Sequence, residues 1–281
     1  MRMLKYVLCD VFTDEPFTGN ALAVFTDARG LDAETMQLLA REMNLAESVF
    51  VFPPESGGHA KIRIFTPRVE VRFAGHPTLG SAFVLGGPLQ AEIVRLETGA
   101  GIIPVRLERE AANIVFGWMQ QNVPSERPFE HAEELCAALG VTGSALPVIE
   151  YDNGMRHVFV VLESREAVQA VAPDFTRLSA LTNVGVNVSA GASTSWKTRM
   201  FAPSAGVPED AATGSAAGPL AVHAAKHGKA RFGEVLRITQ GTELARPSEL
   251  YAVAHGTAER VESVEVGGAA VVVGRGELRR P

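Results

Sequence analysis

Four residues of this chain combine reactive side chains with suggestive surroundings: Glu47, His76, Asp210 and Ser215. Glu47 opens an otherwise apolar run, Ser48-Val49-Phe50-Val51-Phe52. A carboxylate at such a strand edge either faces solvent or, turned into a cleft, holds its proton more tightly, in the range a general acid/base uses. His76 follows Gly75, and Ser215 follows Gly214, each at the head of a segment without charged residues. An imidazole there can donate a hydrogen bond or a proton near neutral pH, or simply cap a helix. The serine offers a hydroxyl donor or an ordinary N-cap. Asp210, four residues before Gly214, either satisfies a turn or holds a carboxylate ready to accept from a substrate amine or hydroxyl.

These side chains need elements to position them. The segments Pro77 to Leu85 and Ala216 to Ala225 have no charged residue, so neither has a solvated face, and an all-round apolar helix is a buried one. A buried helix start leaves main-chain N–H groups unpaired at the positive end of the helix dipole. Gly75 and Gly214 permit close approach, which makes Gly75-His76 and Gly214-Ser215 cradles for a carboxylate or other anion.

The two cradles belong to a longer repeat. Arg63-Ile64-Phe65-Thr66-Pro67 recurs as Arg199-Met200-Phe201-Ala202-Pro203, and Gly19-Asn20-Ala21-Leu22-Ala23-Val24-Phe25 is echoed by Gly154-Met155-Arg156-His157-Val158-Phe159-Val160. With the Gly-polar pairs, this makes three correspondences in one order at nearly constant offset, which predicts two related halves. The polar stretch Gln120 to Ser125 is the expected linker. Much of the remainder reads as short strands rich in β-branched and aromatic residues: Leu4–Leu8, Ala21–Phe25, Ser48–Phe52, Ile62–Phe65, Ile93–Thr98, Ile114–Met119, His157–Leu162, Val184–Ser189, Leu236–Thr239 and Ala269–Val273. Two further helices are expected, one capped by Asp32 and one from Pro128 to Leu139, stopped by Gly140.

Composition narrows the function classes. The chain has 281 residues, 26 Lys and Arg against 32 Asp and Glu, and a net charge of −6. A length of this order suggests about two domains, and the acidic balance argues against a nucleic-acid or anionic-membrane surface. Two distant cysteines, Cys9 and Cys136, suit neither a disulfide framework nor a thiolate metal site and fit a reducing cytoplasm. No run is long and apolar enough for a membrane span, and the first residues are too polar for a signal peptide. His223 and His227 stand four apart but lack the glutamate of a His-Glu-x-x-His site, so no metal is expected. Ser215 is not the centre of a Gly-x-Ser-x-Gly elbow. Gly274-Arg275-Gly276 lacks the third glycine of a dinucleotide loop, and no Walker A sequence is present.

Asp14-Glu15-Pro16-Phe17-Thr18-Gly19-Asn20, Met43 to Phe50, Arg63 to Pro67 with Gly75-His76-Pro77-Thr78-Leu79, and Glu209 to Ala216 together resemble the phenazine-biosynthesis PhzF family, in family order across nearly the whole chain. The resemblance implies an α+β fold like that of diaminopimelate epimerase: two pseudo-symmetric domains, each a β-barrel or roll around a central buried helix, with the site in the cleft between them. The expected domains are residues 1–122 and 123–281, with the last strand able to return to the first. By the same resemblance, Glu47 is the catalytic glutamate. Gly75, His76, Asp210, Gly214 and Ser215 line the substrate site, and the molecule is a homodimer.

The implied reaction is a cofactor-independent isomerisation of a small anionic substrate of the dihydro-hydroxyanthranilate type, moving a proton between ring carbons. Aligning Asn44 with Asn183 sets Glu47 against Val186, so only one half supplies a carboxylate. That suits removal and return of a proton on one face better than stereoinversion, which needs an acid and a base on opposite faces. Ala21, Ala46 and Ala211 stand where the family often has Pro, Ser and Pro, which leaves the substrate open. The alternatives are a non-catalytic small-molecule-binding or interaction protein on the same fold, and a hydrolase built from Ser215, His76 and Asp210.

Overall fold

The computed structural model describes residues 3–280. The chain forms two units, residues 1–120 with 267–281, and residues 121–266. The first contains β1 (Met3–Val11), β2 (Asn20–Phe25), α1 (Ala33–Met43), β3 (Glu47–Phe52), β4 (Ala60–Phe65), β5 (Glu70–Val71), α2 (Gly75–Leu89), β6 (Ile93–Thr98), β7 (Gly101–Glu110) and all but the last residue of β8 (Asn113–Gln121). The second contains β9 (Ser125–Pro128), α3 (Ala132–Leu139), β10 (Ile149–Asp152), β11 (Arg156–Val161), α4 (Arg165–Ala170), α5 (Phe175–Leu181), β12 (Gly185–Ala192), β13 (Ser195–Ala202), β14 (Val207–Asp210), α6 (Gly214–Lys226), β15 (Leu236–Gln240), β16 (Ser248–Gly256) and most of β17 (Val261–Gly268). The final strand, β18 (Ala270–Arg279), pairs antiparallel with β1 in the first unit.

The two units repeat one topology. In the first, β2 and β3 are parallel, β3 and β4 antiparallel, β4 and β6 parallel, and β6 and β7 antiparallel. In the second, β11 and β12 are parallel, β12 and β13 antiparallel, β13 and β15 parallel, and β15 and β16 antiparallel. A short strand pairs with β4 or β13 and leads into α2 or α6.

The recurring Arg-x-Phe-x-Pro has a structural cause. Arg63 reaches Glu70 with two hydrogen bonds of 2.7 and 2.6 Å, and Arg199 reaches Glu209 with two of 2.8 and 2.9 Å. Each guanidinium also lies over the phenylalanine two residues on, 5.3 Å above the Phe65 ring and 5.0 Å above Phe201. A planar, two-pronged cation can do both at once, so the motif ties the short strand to its neighbour in both units.

The charge-free segments are the central helices. α2 has neither an acidic first turn nor a basic last one, is buried from Gly75 to Phe83, and packs against β1, β2, β3, β6, β7 and β18. Gly80 allows this, since a Cβ there would lie 2.7 Å from Leu22 Cδ2 and 2.8 Å from Val11 Cγ2. α6 is buried from Gly214 to Ala224 and packs against β16 and β11. Outside them, α1 covers a cluster containing Phe25, Phe50 and Phe65, while α3, α4 and α5 cover one built on Val158, Val160, Val186 and Val188.

Several sequence expectations shift. The helix expected from Pro128 begins at Ala132, because Ser125 to Pro128 pair with β10 as strand β9. That pairing shortens the linker to residues 122–124. Asp32 caps α1 as expected, accepting from the Thr35 N–H at 2.8 Å, and Gly140 ends α3 in the left-handed region. The expected strands Val184–Ser189 and Ala269–Val273 extend to Ala192 and Arg279. α4 and α5, at six and seven residues, are too short to show a clear apolar period.

Candidate active site

β3 begins at Glu47, and α2 begins at Gly75-His76. The parallel register sets Glu47 beside Leu22, two residues after Asn20 opens β2. Three polar side chains meet as a result. His76 Nε2 lies 3.5 Å from Glu47 Oε2, with the two side chains 3% and 13% exposed. Asn20 Nδ2 lies 3.2 Å from His76 Nδ1.

The hydrogen-bond chemistry fixes the ring. An amide nitrogen only donates, so His76 Nδ1 is the acceptor and the ring proton sits on Nε2, the nitrogen facing Glu47. Burial pushes the His76 imidazole down to about 3. It is therefore a neutral N–H donor through the physiological range, which narrows the sequence expectation of a donor or a titrating acid.

α2 has no side-chain cap; its N-cap is Ala74. Pro77, third in the helix, has no N–H, so the outward donors of the first turn are those of Gly75 and His76. α6 repeats the arrangement, with Thr213 as N-cap and no side-chain cap, leading into Gly214 and Ser215. Asp210 ends β14, 5% exposed, and accepts from Thr213 Oγ1 at 2.7 Å. Gln240 holds this corner, donating to the Asp210 carbonyl at 2.9 Å and accepting from the Thr213 N–H at 3.0 Å.

Pro219 inside α6 cannot donate to the Ser215 carbonyl four residues back. Asn153 replaces the lost bond, donating to the Ser215 carbonyl at 2.9 Å and to Gln121 Oε1 at 3.0 Å. Gln121 in turn donates to the Gly214 carbonyl at 2.8 Å. The helix start is thus held by two amides that sequence reading did not single out. Ser215 Oγ lies 2.9 Å from His157 Nε2, and Asn187 Nδ2 lies 3.3 Å from His157 Nδ1. His157 was visible in the third echo and as the first residue of an expected strand, with no role assigned; Asn187, inside another expected strand, carried no functional signal.

The register also corrects one alignment. β3 sets Leu22 against Glu47 and Ser48 against Phe65; β12 sets His157 against Gly185 and Val186 against Phe201. Since Phe65 and Phe201 are equivalent, Glu47 corresponds to Gly185, one residue from the expected Val186. Gly185 has no side chain, so only the first unit places a carboxylate there.

Among the described residues no group of three or more His, Cys, Asp or Glu side chains is gathered for a metal. His223 instead lies 3.1 Å from the Tyr151 hydroxyl through Nδ1. Among the described residues, too, no helix is long and apolar enough to cross a membrane.

The phenazine biosynthesis-like protein family, PhzC-PhzF, matches residues 9–276. The chain belongs to this family. Among its curated relatives is the trans-2,3-dihydro-3-hydroxyanthranilate isomerase of Pseudomonas aeruginosa, 50% identical over 278 residues that cover 98% of this chain and 100% of the relative. Among solved structures, the PhzF-family protein of Bacillus anthracis superposes with a TM-score of 0.84 at 23% identity, covering 99% of this chain and 100% of that one. A probable proline racemase from Agrobacterium radiobacter gives 0.67 at 14% identity, covering 98% and 93%, which extends the shared fold to the epimerase-like group. This PhzF-family chain is an isomerase with an α+β, epimerase-like fold.

Proposed function

We propose that the protein isomerises a small carboxylate-bearing ring compound, with trans-2,3-dihydro-3-hydroxyanthranilate as the leading substrate, and that Glu47 is its general acid/base. The observation that carries this reading is the approach of Glu47 to His76 in buried surroundings, at the start of a helix without a side-chain cap. The relatives named for that compound act on a molecule bearing a carboxylate, an amine and a hydroxyl. The N–H groups at the start of α2, Gly75 and His76, suit a carboxylate, as do those of Gly214 and Ser215 at the start of α6, where Asp210 suits an amine or hydroxyl.

The proposed chemistry needs no change of formula. The Glu47 carboxylate takes a proton from one ring carbon, the electron pair shifts through the adjacent double bond, and the resulting carboxylic acid returns the proton to another carbon. The His76 N–H is available to hold negative charge as it develops. Glu47 serves as base and then as acid in this scheme, which suits transfer on a single face.

The test is Glu47→Gln, which keeps shape and removes the base. With trans-2,3-dihydro-3-hydroxyanthranilate, turnover should fall about 10²- to 10⁴-fold. Wild-type turnover in D₂O should place deuterium at one ring carbon and on one face. A loss below about tenfold in the variant would exclude Glu47 as the acid/base.

A further inference from the structure

In both units the polar residue after the helix-start glycine faces a side chain from the parallel strand pair. In the first it is Glu47 against His76; in the second it is His157 against Ser215. His157 occupies the strand position of Leu22, and its ring fills the space beside Gly185, where a Cβ would lie 2.6 Å from Nδ1 and 3.0 Å from Cε1. A histidine has thus taken the place that the Glu47 side chain fills in the first unit.

The tautomer of this histidine follows from its neighbours. Asn187 Nδ2 faces the carbonyl oxygens of Val158 and Gly185 at 3.4 and 3.3 Å, as well as His157 Nδ1. Turning the amide over would set its oxygen against two carbonyl oxygens, so the nitrogen stays on that side and donates. His157 Nδ1 must then accept, and the ring proton lies on Nε2, aimed at Ser215 Oγ. Ser215 Oγ accepts that bond, and its own proton is left to point elsewhere.

We propose that His157, with its tautomer set by Asn187, is a positioning residue that holds the Ser215 hydroxyl as a hydrogen-bond donor to the anionic group of the substrate. This rests on the reading of Ser215 as a substrate contact. The histidine touches no reacting atom. It prevents Ser215 from turning its proton inward, where the hydroxyl would present a lone pair to an anion.

Histidine labelled with ¹⁵N in the wild-type protein reads the tautomer directly. His157, assigned by its disappearance in His157→Gln, should show a protonated Nε2 and an unprotonated Nδ1. A protonated Nδ1 overturns the proposal. Steady-state kinetics with trans-2,3-dihydro-3-hydroxyanthranilate then separates the roles. His157→Leu, which copies Leu22, and Ser215→Ala should each raise KM about tenfold or more, the worth of a hydrogen bond to a charged group, with kcat much less affected. The double variant should be no worse than either alone, and His157→Gln, which keeps an N–H, should recover most of the loss.

If Ser215→Ala raises KM while His157→Leu does not, the positioning role is wrong and the substrate contact stands. If Ser215→Ala leaves KM unchanged, the substrate contact itself is wrong and the proposal falls with it. Should His157→Leu fail to fold, the wild-type tautomer and the KM of His157→Gln decide: a protonated Nδ1, or a KM raised as far as that of Ser215→Ala, overturns the proposal.

Discussion

Glu47 and Gly185 occupy the same position in the parallel strand pairs of the two units, and a side chain at Gly185 would collide with the His157 ring. The difference between the two units at this position therefore has a steric basis. Where one unit presents a carboxylate, the other has given up its Cβ to admit a histidine.

Gly185→Ala tests that relationship. The new methyl group must displace the ring from Ser215, because the contact with Nδ1 falls far inside van der Waals distance. Loss of about 1–3 kcal/mol in urea denaturation is expected from overpacking, with KM rising more than kcat falls. Unchanged stability and KM would show that the ring has room to move.

Asn153→Ala should remove the donor that stands in for the missing N–H of Pro219. It leaves the Ser215 carbonyl and Gln121 Oε1 without that partner in a buried setting, at a cost of about 1–3 kcal/mol. Hydrogen exchange should show faster opening in the first turns of α6 than in α2. Uniform exchange in both helices would contradict the assignment.

Gly80→Val should destabilise the first unit more than Gly87→Ala does. The Gly80 position is closed by Leu22 and Val11, whereas nothing lies within 4 Å of a Cβ at Gly87. Overpacking costs about 1–3 kcal/mol at the first, and removal of a helical glycine gains up to about 1 kcal/mol at the second. Thermal denaturation of the two variants should shift in opposite directions.

Stability should fall in mild acid. Desolvation pushes His76, His157 and His223 down to about 3, with the neighbouring His227 adding to the effect at His223. The unfolded chain takes up protons near the ordinary value of 6.5 while the folded chain does not. Their contribution is thus complete above about pH 6.5 and is lost as the pH falls from there toward about 3, by up to about 1.4 kcal/mol per unit for each residue. Urea midpoints measured from pH 7.5 to 5 should decline, and His223→Phe should reduce the slope. A flat profile would mean that these rings take up protons in the folded protein.

Much of the architecture was legible in the sequence because it is written locally. A helix without charged residues has no solvated face, so Pro77 to Leu85 and Ala216 to Ala225 announced the central helices before any contact was known. The recurring Arg-x-Phe-x-Pro marked equivalent strands because each arginine serves a glutamate and a phenylalanine close to it in the chain. Glu47, His76, Asp210 and Ser215 drew attention through residue type and immediate neighbours alone.

The tertiary structure decided the rest, because it depends on distances between remote segments. Only strand register could make Glu47 equivalent to Gly185 and not Val186, and bring the Glu47 carboxylate to His76. Only folding could bring His157 to Ser215, 58 residues away, with Asn187 choosing which ring nitrogen carries the proton. Residue types say what a side chain can donate or accept. Which partner it meets, and which proton remains for a substrate, is fixed by packing and by the hydrogen bonds already made around it.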